Sequence, residues 1–199
     1  GELLYLTGDP SERVHVIDSG ILKLTARDAE GEETIVGLAL PGETVGEIAA
    51  LDVTSHPTDC SAATRAMVTG FDAGTFVEVL RNDPSGALGV ARILSARFRW
   101  CSDAAIERAA SEVPARLAGR LLELARLLGD EGEAGIDLEM PLAQADLGRL
   151  AGMCRESACK ALRRFRREGL VDYRGRKLRI LRPDALEHIR CAGRYRTGA

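Results

Sequence analysis

The chain has 199 residues, 45% of them hydrophobic and 29% charged, with a formal net charge of −3. That composition supports a packed core and excludes wholesale disorder. No apolar run approaches a membrane span and no basic-plus-apolar leader opens the chain, so a soluble, cytoplasmic protein with no membrane partner is expected.

The first 80 residues read as strands and turns. Leu3-Leu4-Tyr5-Leu6 runs into Gly8-Asp9-Pro10, and Val14-His15-Val16-Ile17 alternates until Asp18-Ser19-Gly20. Ile21 to Leu24 and Thr34 to Leu38 flank Asp28-Ala29-Glu30-Gly31-Glu32, which predicts a hairpin. Pro41-Gly42 punctuates again, and a strand pair is expected over Ser61 to Phe71. Short strands at this spacing indicate an antiparallel sandwich or barrel. From Thr75 the period becomes helical. A long helix is predicted from Pro84 to about Ser111, with Val90, Leu94, Phe98, Cys101 and Ala105 as its apolar stripe. This stripe fits packing on its own domain or on the same helix of a second chain, and its near-heptad spacing favours the second. Ser111-Glu112-Val113-Pro114 then breaks the helix and restarts it, as a hinge between modules would. The next helix places Leu117, Leu121, Leu124 and Leu128 on one face and ends at Gly129, before a loop from Asp130 to Gly135.

The C-terminal part differs in charge. Arg149 to Ala199 carries 15 Lys+Arg against 5 Asp+Glu, whereas the residues before it carry 12 against 25. An acidic module joined to a basic one suits a chain that meets a polyanion with one end. Within the basic part, Gln144 to Ala151 predicts a short helix ended by Gly152, and a second helix begins near Cys154. Ala158, Ala161, Leu162 and Phe165 share one face of it, while Arg155, Glu156, Cys159, Lys160 and Arg163 fall on the other. Two short helices around a glycine turn form a helix-turn-helix, whose second helix presents its first turns to a DNA major groove. Arg bonds a guanine edge bidentately, Glu accepts from cytosine N4, and Lys reaches guanine or phosphate. Arg164, Arg166 and Arg167 extend the positive surface. Leu170 to Tyr173 and Lys177 to Leu181, turning at Gly175, predict a β-hairpin wing with Arg174, Arg176 and Lys177 placed to grip phosphates.

Three segments in this order resemble the cyclic-AMP receptor protein/FNR superfamily of bacterial transcription regulators. Pro41 to Leu51 (PGETVGEIAAL) is similar to its effector-pocket cassette, Leu147 to Ser157 (LGRLAGMCRES) to its helix-turn-helix signature, and Arg163 to Val171 (RRFRREGLV) to the entry of its wing. The resemblance implies an α+β chain: a β-roll effector domain over residues 1–83, a dimerisation helix and hinge over 84–112, and a winged helix-turn-helix over 113–199. The family has a helix and a strand ahead of the point where this chain begins, so an N-terminal piece is expected to be missing. By the same resemblance Arg155, Glu156 and Lys160 read bases, with Lys160 standing where an Arg is frequent. Cys154 stands where Ser or Thr caps the recognition helix. Double-stranded DNA, a second copy of the chain and RNA polymerase are the implied partners.

For the effector pocket the resemblance implies Gly46, Glu47, Ile48, Cys60, Ser61, Cys101 and Ser102. In cyclic-nucleotide binders a Glu of the cassette bonds the ribose, which Gly46-Glu47 matches, and an Arg neutralises the cyclic phosphate. Aligning Ser61-Ala62 puts Cys60 at that Arg position, which weakens the case for cyclic AMP, because a buried phosphate needs a cationic partner. Arg65 is a candidate displaced partner. Cys101-Ser102 falls where Thr-Ser touches the adenine. Four readings remain open for this pocket: cyclic AMP, a less anionic ligand, no effector at all, or redox or haem sensing through Cys60, Cys101, His15 or His56. Cys154, at a helix N-terminus beside Arg155, is a further candidate thiol switch.

The sequence offers little for an enzyme. It holds no Walker loop, GxSxG elbow or HExxH motif. Asp52 with His56 is the nearest acid/base pair, and spacing alone does not make it catalytic. A nucleotide-binding adaptor without DNA binding is the remaining class, and the basic wing and recognition helix argue against it. The expected assembly is a homodimer with recognition helices in successive major grooves, half-sites being about one helical turn (~34 Å) apart.

Overall fold

A computed structural model describes residues 1–132, 134–139, 144–175 and 177–193. The chain forms two compact units, the first ending at Ser102 and the second beginning at Asp103.

The first unit is a strand sandwich. Its elements are β1 (Leu3–Tyr5), β2 (Arg13–Ser19), β3 (Leu22–Arg27), β4 (Glu33–Ala39), β5 (Thr44–Val45), α1 (Glu47–Asp52), β6 (Asp59–Ala62), β7 (Met67–Asp72), α2 (Ala73–Asn82) and the start of α3 (Pro84–Ala110). One sheet runs β1-β6-β3-β4 and the other β5-β2-β7, both antiparallel. Alternation in the sequence builds the core between them. Leu22 and Leu24 of β3, Ala39 of β4, Ile17 of β2 and Cys60 of β6 all point inward with Tyr5 and Val45. The β3–β4 hairpin falls where the turn formers stand, closed by Asp28, whose Oδ1 accepts from the N–H groups of Glu30 and Glu32. The strand pair expected over Ser61 to Phe71 is not a pair. β6 lies in one sheet and β7 in the other, because the chain crosses the sandwich between them and each strand finds longer-range partners. Asp72 caps α2, accepting from the Thr75 N–H at 2.8 Å.

The second unit contains the end of α3, then α4 (Val113–Leu128), β8 (Gly129–Gly132), β9 (Gly135–Glu139), α5 (Gln144–Leu150), α6 (Arg155–Arg167), β10 (Val171–Arg174), β11 (Lys177–Ile180) and α7 (Pro183–Ala192). Its core is Leu117, Leu121 and Leu124 of α4 with Phe165, Val171, Ile180 and Leu186, all essentially without exposure. The segment read as a loop from Asp130 to Gly135 is a hairpin of β8 and β9. Asp130 and Glu131 are exposed and carry no alternation, so only pairing with β9 makes them a strand. β9 in turn pairs with β11, giving a four-stranded sheet of order β10-β11-β9-β8 that includes the predicted wing.

Candidate nucleic-acid interface and effector pocket

The helix-turn-helix forms as its pattern requires. Leu147 and Leu150 of α5, Ala151 just after it, and Ala158, Ala161, Leu162 and Phe165 of α6 are all buried. At the turn Gly152 takes φ 60°, which glycine adopts without strain. The Met153 N–H donates to the Gly148 carbonyl at 2.9 Å, and a Cβ on Gly148 would lie 2.9 Å from the Met153 oxygen, so the two helices meet closely.

The outward face of α6 carries Arg155, Glu156, Lys160 and Arg163, all exposed, while Cys159 is half-buried. Cys154 occupies the N-cap position without a side-chain bond to the free backbone N–H groups. Its Sγ lies instead 3.2 Å from the Ser157 hydroxyl. Its contact with the Ser157 side chain is the largest cause that holds this exposed thiol below the ordinary thiol range. In the wing, Arg174 and Lys177 sit opposite each other in the β10–β11 register and are exposed. Arg176 lies outside the described residues. The base of the wing is tied to α6: the Arg166 guanidinium stacks 4.9 Å from the Tyr173 ring and pairs with Asp172 at 3.0 Å. Arg164 pairs with Glu168 at 2.7 Å. Two of the cations that extend the positive surface therefore also brace it.

The effector-pocket residues lie in a different environment. Gly46 starts α1 at φ 88°, and a Cβ there would meet the Arg13 carbonyl oxygen at 2.8 Å. Glu47 follows and is 1% exposed. Its Oε1 accepts from Arg97 Nη1 at 2.5 Å, and Arg97 Nη2 donates to the Thr44 carbonyl at 2.5 Å and lies 3.5 Å from the Glu43 carboxylate. Burial raises the Glu47 carboxyl above the ordinary range, and Arg97 opposes that rise. Cys60 is fully buried, and burial pushes its thiol up to about 12. Tyr5 hydrogen-bonds Cys60 and stacks on His56 with ring centroids 3.8 Å apart. Ser61 and Ser102 are half-buried, while Ile48 and Arg65 are exposed. Cys101 is exposed and donates to the Val36 carbonyl at 3.3 Å.

Sequence reasoning does not single out Arg97. The available signal is its position one helical turn before Cys101, which puts both on one face of α3. Arg97 also bears on the cyclic-nucleotide question. A cyclic phosphate at the position of Cys60 would find a neutral, fully buried thiol in place of a guanidinium. The guanidinium that the cluster does contain is engaged through its two Nη atoms by Glu47, Thr44 and Glu43, while its Nε is buried without a partner. These residues do not fit a cyclic phosphate. The acid/base pair also does not form: Asp52 is exposed, whereas His56 is buried against Tyr5 and burial lowers its pKa. Among the described residues no group of three or more His, Cys, Asp or Glu side chains is placed to hold a metal.

Comparison with known proteins gives two family matches. Residues 1–83 match the cyclic nucleotide-binding domain and residues 115–189 the Crp-like helix-turn-helix domain. The chain is 24% identical over 180 residues to the CRP-like cAMP-activated global transcriptional regulator of Mycobacterium tuberculosis, covering 90% of this chain and 80% of that protein. It is 25% identical over 189 residues to the fumarate and nitrate reduction regulatory protein of Escherichia coli, covering 95% and 75%. Among solved structures, a transcriptional regulator of the CRP family from Thermus thermophilus superposes with a TM-score of 0.81 at 26% identity, covering 96% of this chain and 93% of that one.

Proposed function

The chain belongs to the cyclic-AMP receptor protein/FNR superfamily and is a DNA-binding transcription regulator, and from that premise we propose that it acts as a homodimer whose DNA affinity does not depend on cyclic AMP. The observation that carries the DNA-binding geometry is the face of α6. Arg155, Glu156 and Lys160 stand exposed on its first turns over a wholly buried opposite face, and the wing adds Arg174 and Lys177. Arg155 and Glu156 read base edges, Lys160 reads guanine more loosely than an Arg would, and the wing cations hold phosphates. Dimerisation is supported by α3, where Leu88, Phe98 and Ile106 are exposed, Phe98 by 73%. Large apolar side chains along one helix call for a cover, and a second copy supplies the same helix. RNA polymerase is the proposed further partner. No helix among the described residues is long and apolar enough to cross a membrane.

Independence from cyclic AMP is supported by the Arg97–Glu47 pair, which occupies one oxygen of the carboxylate that would bond a ribose. The test is selection of a DNA site from a random pool, followed by titration with and without cyclic AMP. The expected result is a near-palindromic site bound equally in both titrations. A rise in affinity on adding cyclic AMP would overturn this part of the reading. Thiol control is a second reading, favoured by the exposed, acidified Cys154 at the start of α6. Peroxide treatment that leaves DNA affinity unchanged removes it.

A further inference from the structure

The break between α3 and α4 is short, and the structure packs it tightly. The second compact unit already includes α3 from Asp103 onward. Within it Glu107 and Arg120 are both nearly buried, and Arg120 Nη2 donates to Glu107 Oε2 at 2.7 Å. The other arm of Arg120 reaches Glu123 at 2.5 Å. Arg116 of α4 donates to the Ser111 carbonyl at 3.2 Å and to the Gly152 carbonyl, in the helix-turn-helix turn, at 3.4 Å. A Cβ on Gly152 would lie 2.7 Å from Arg108 Nε, so the end of α3 abuts that turn directly. On the other side the Glu112 N–H donates to the Gly193 carbonyl at 3.0 Å, and a Cβ on Gly193 would stand 2.5 Å from the Ala115 Cβ. Ser111 itself is 6% exposed.

A slack linker would leave its backbone groups to water, yet here both residues of the break are pinned from the protein side. A buried ion pair is also a poor way to gain stability, because desolvation offsets most of its attraction. What such a pair does provide is one geometry. An apolar contact tolerates sliding, whereas a guanidinium held between two carboxylates does not.

We propose that Arg120, through Glu107, is a positioning residue that fixes the end of the dimer helix to the DNA-binding head, and so sets the half-site spacing that the dimer accepts. Arg116 completes the fixation by holding Ser111 and the helix-turn-helix turn together. The proposal rests on the dimer reading above and concerns what determines its spacing, a property that neither base contacts nor phosphate contacts specify. One base pair of extra spacing rotates a half-site by roughly 34° about the DNA axis. A rigid head resists that rotation and a loosened one absorbs it.

The experiment uses the full chain and a series of selected sites whose half-site separation is changed by −2 to +2 base pairs. A single half-site is included, and light scattering reports the mass. The variants are Arg120→Met, which removes the charge while keeping bulk, and Glu107→Gln, which keeps shape. Arg120→Lys restores one charge, and Glu123→Gln alters only the outer arm. For the wild type the best spacing is expected to exceed its neighbours by about tenfold, since misplacing a half-site must be met by DNA deformation. In Arg120→Met and Glu107→Gln that ratio is expected to fall to about twofold, with single half-site affinity unchanged and Arg120→Lys intermediate. A spacing ratio unchanged in both Glu107→Gln and Arg120→Met overturns the proposal, even if overall affinity drops. A wild type that is monomeric, or indifferent to spacing, overturns the dimer reading itself and is recognised before any variant is made.

Discussion

The residues that the head presents and the residues that the β-roll gathers differ in what their polar atoms are doing. On α6, Arg155, Glu156 and Lys160 are exposed, held in position by a buried apolar face beneath them. In the β-roll, Glu47 and Arg97 are tied to each other, with Tyr5 and Cys60 interacting beside them out of water. The first arrangement leaves its polar groups to water, and on the function proposed above the desolvation cost falls at the moment of binding, when DNA supplies the partners. The second has met part of that cost internally: an incoming ligand must compete with protein groups for Glu47 Oε1 and both Nη atoms of Arg97, while Glu47 Oε2 and Arg97 Nε are buried without a hydrogen-bond partner. Family resemblance assigns both regions a binding role, and the physical state of the side chains separates them.

The most disruptive way to break the contrast is to remove one half of the internal pair. Arg97→Met leaves the Glu47 carboxylate buried without its cation, and stranding a charge in this way costs about 3 kcal/mol. Chemical denaturation of the full chain checks this. Adding Glu47→Leu to Arg97→Met is expected to recover most of the loss, because two apolar groups leave no charge behind. A single variant as stable as the wild type would mean that the carboxyl of Glu47 is neutral or solvated, and the pocket would then be open to a ligand after all.

The second change sharpens the head's side of the contrast. Arg155→Ala deletes a side chain that the folded protein does not need, so stability is expected to stay within about 0.5 kcal/mol of the wild type. Discrimination between the selected site and one changed at the contacted base pair should fall by about 10- to 100-fold, the worth of a bidentate base contact. Binding titrations on the two duplexes measure this. An intact site preference would place the recognition surface elsewhere.

The two sides are not equally legible in the sequence. The two faces of α6 can be read because they follow local periodicity: Ala158, Ala161, Leu162 and Phe165, buried, against Arg155, Glu156 and Lys160, exposed, is a pattern within a few helical turns. Gly152 marks the turn by itself. Cys60 is also legible, since the resemblance places a thiol where cyclic-nucleotide binders carry a guanidinium, a chemical mismatch visible in one letter. Arg97 is not. It stands between Leu94 and Phe98 as an ordinary polar residue, and its partner lies fifty residues earlier, at a separation that periodicity does not sample. The Glu107–Arg120 contact is hidden for a related reason. Ser111 to Pro114 carries the signals of a helix break, and such signals report backbone geometry without saying whether the break is slack or packed. β8 escapes a reading by pattern because its acidic, glycine-containing residues become a strand only through pairing with β9.

The smallest expected effect tests whether the exposed cations of the head divide into readers and holders. Lys177 stands on the wing across from Arg174, on a strand rather than on α6, and is exposed. A lysine holding a phosphate contributes through counterion release, which is blind to sequence. Lys177→Ala should therefore weaken binding to selected and scrambled duplexes by the same factor, about threefold at moderate salt. The slope of log affinity against log salt should also shrink by about 0.9, the value that one neutralised phosphate contributes on duplex DNA. Titrations at several salt concentrations on both duplexes separate the two roles cleanly, because a base reader changes the ratio between duplexes and a phosphate holder changes only the slope. If Lys177→Ala altered the ratio, the wing would be reading sequence, and the line between the two kinds of cation would have to be redrawn between α6 and the remainder of the head.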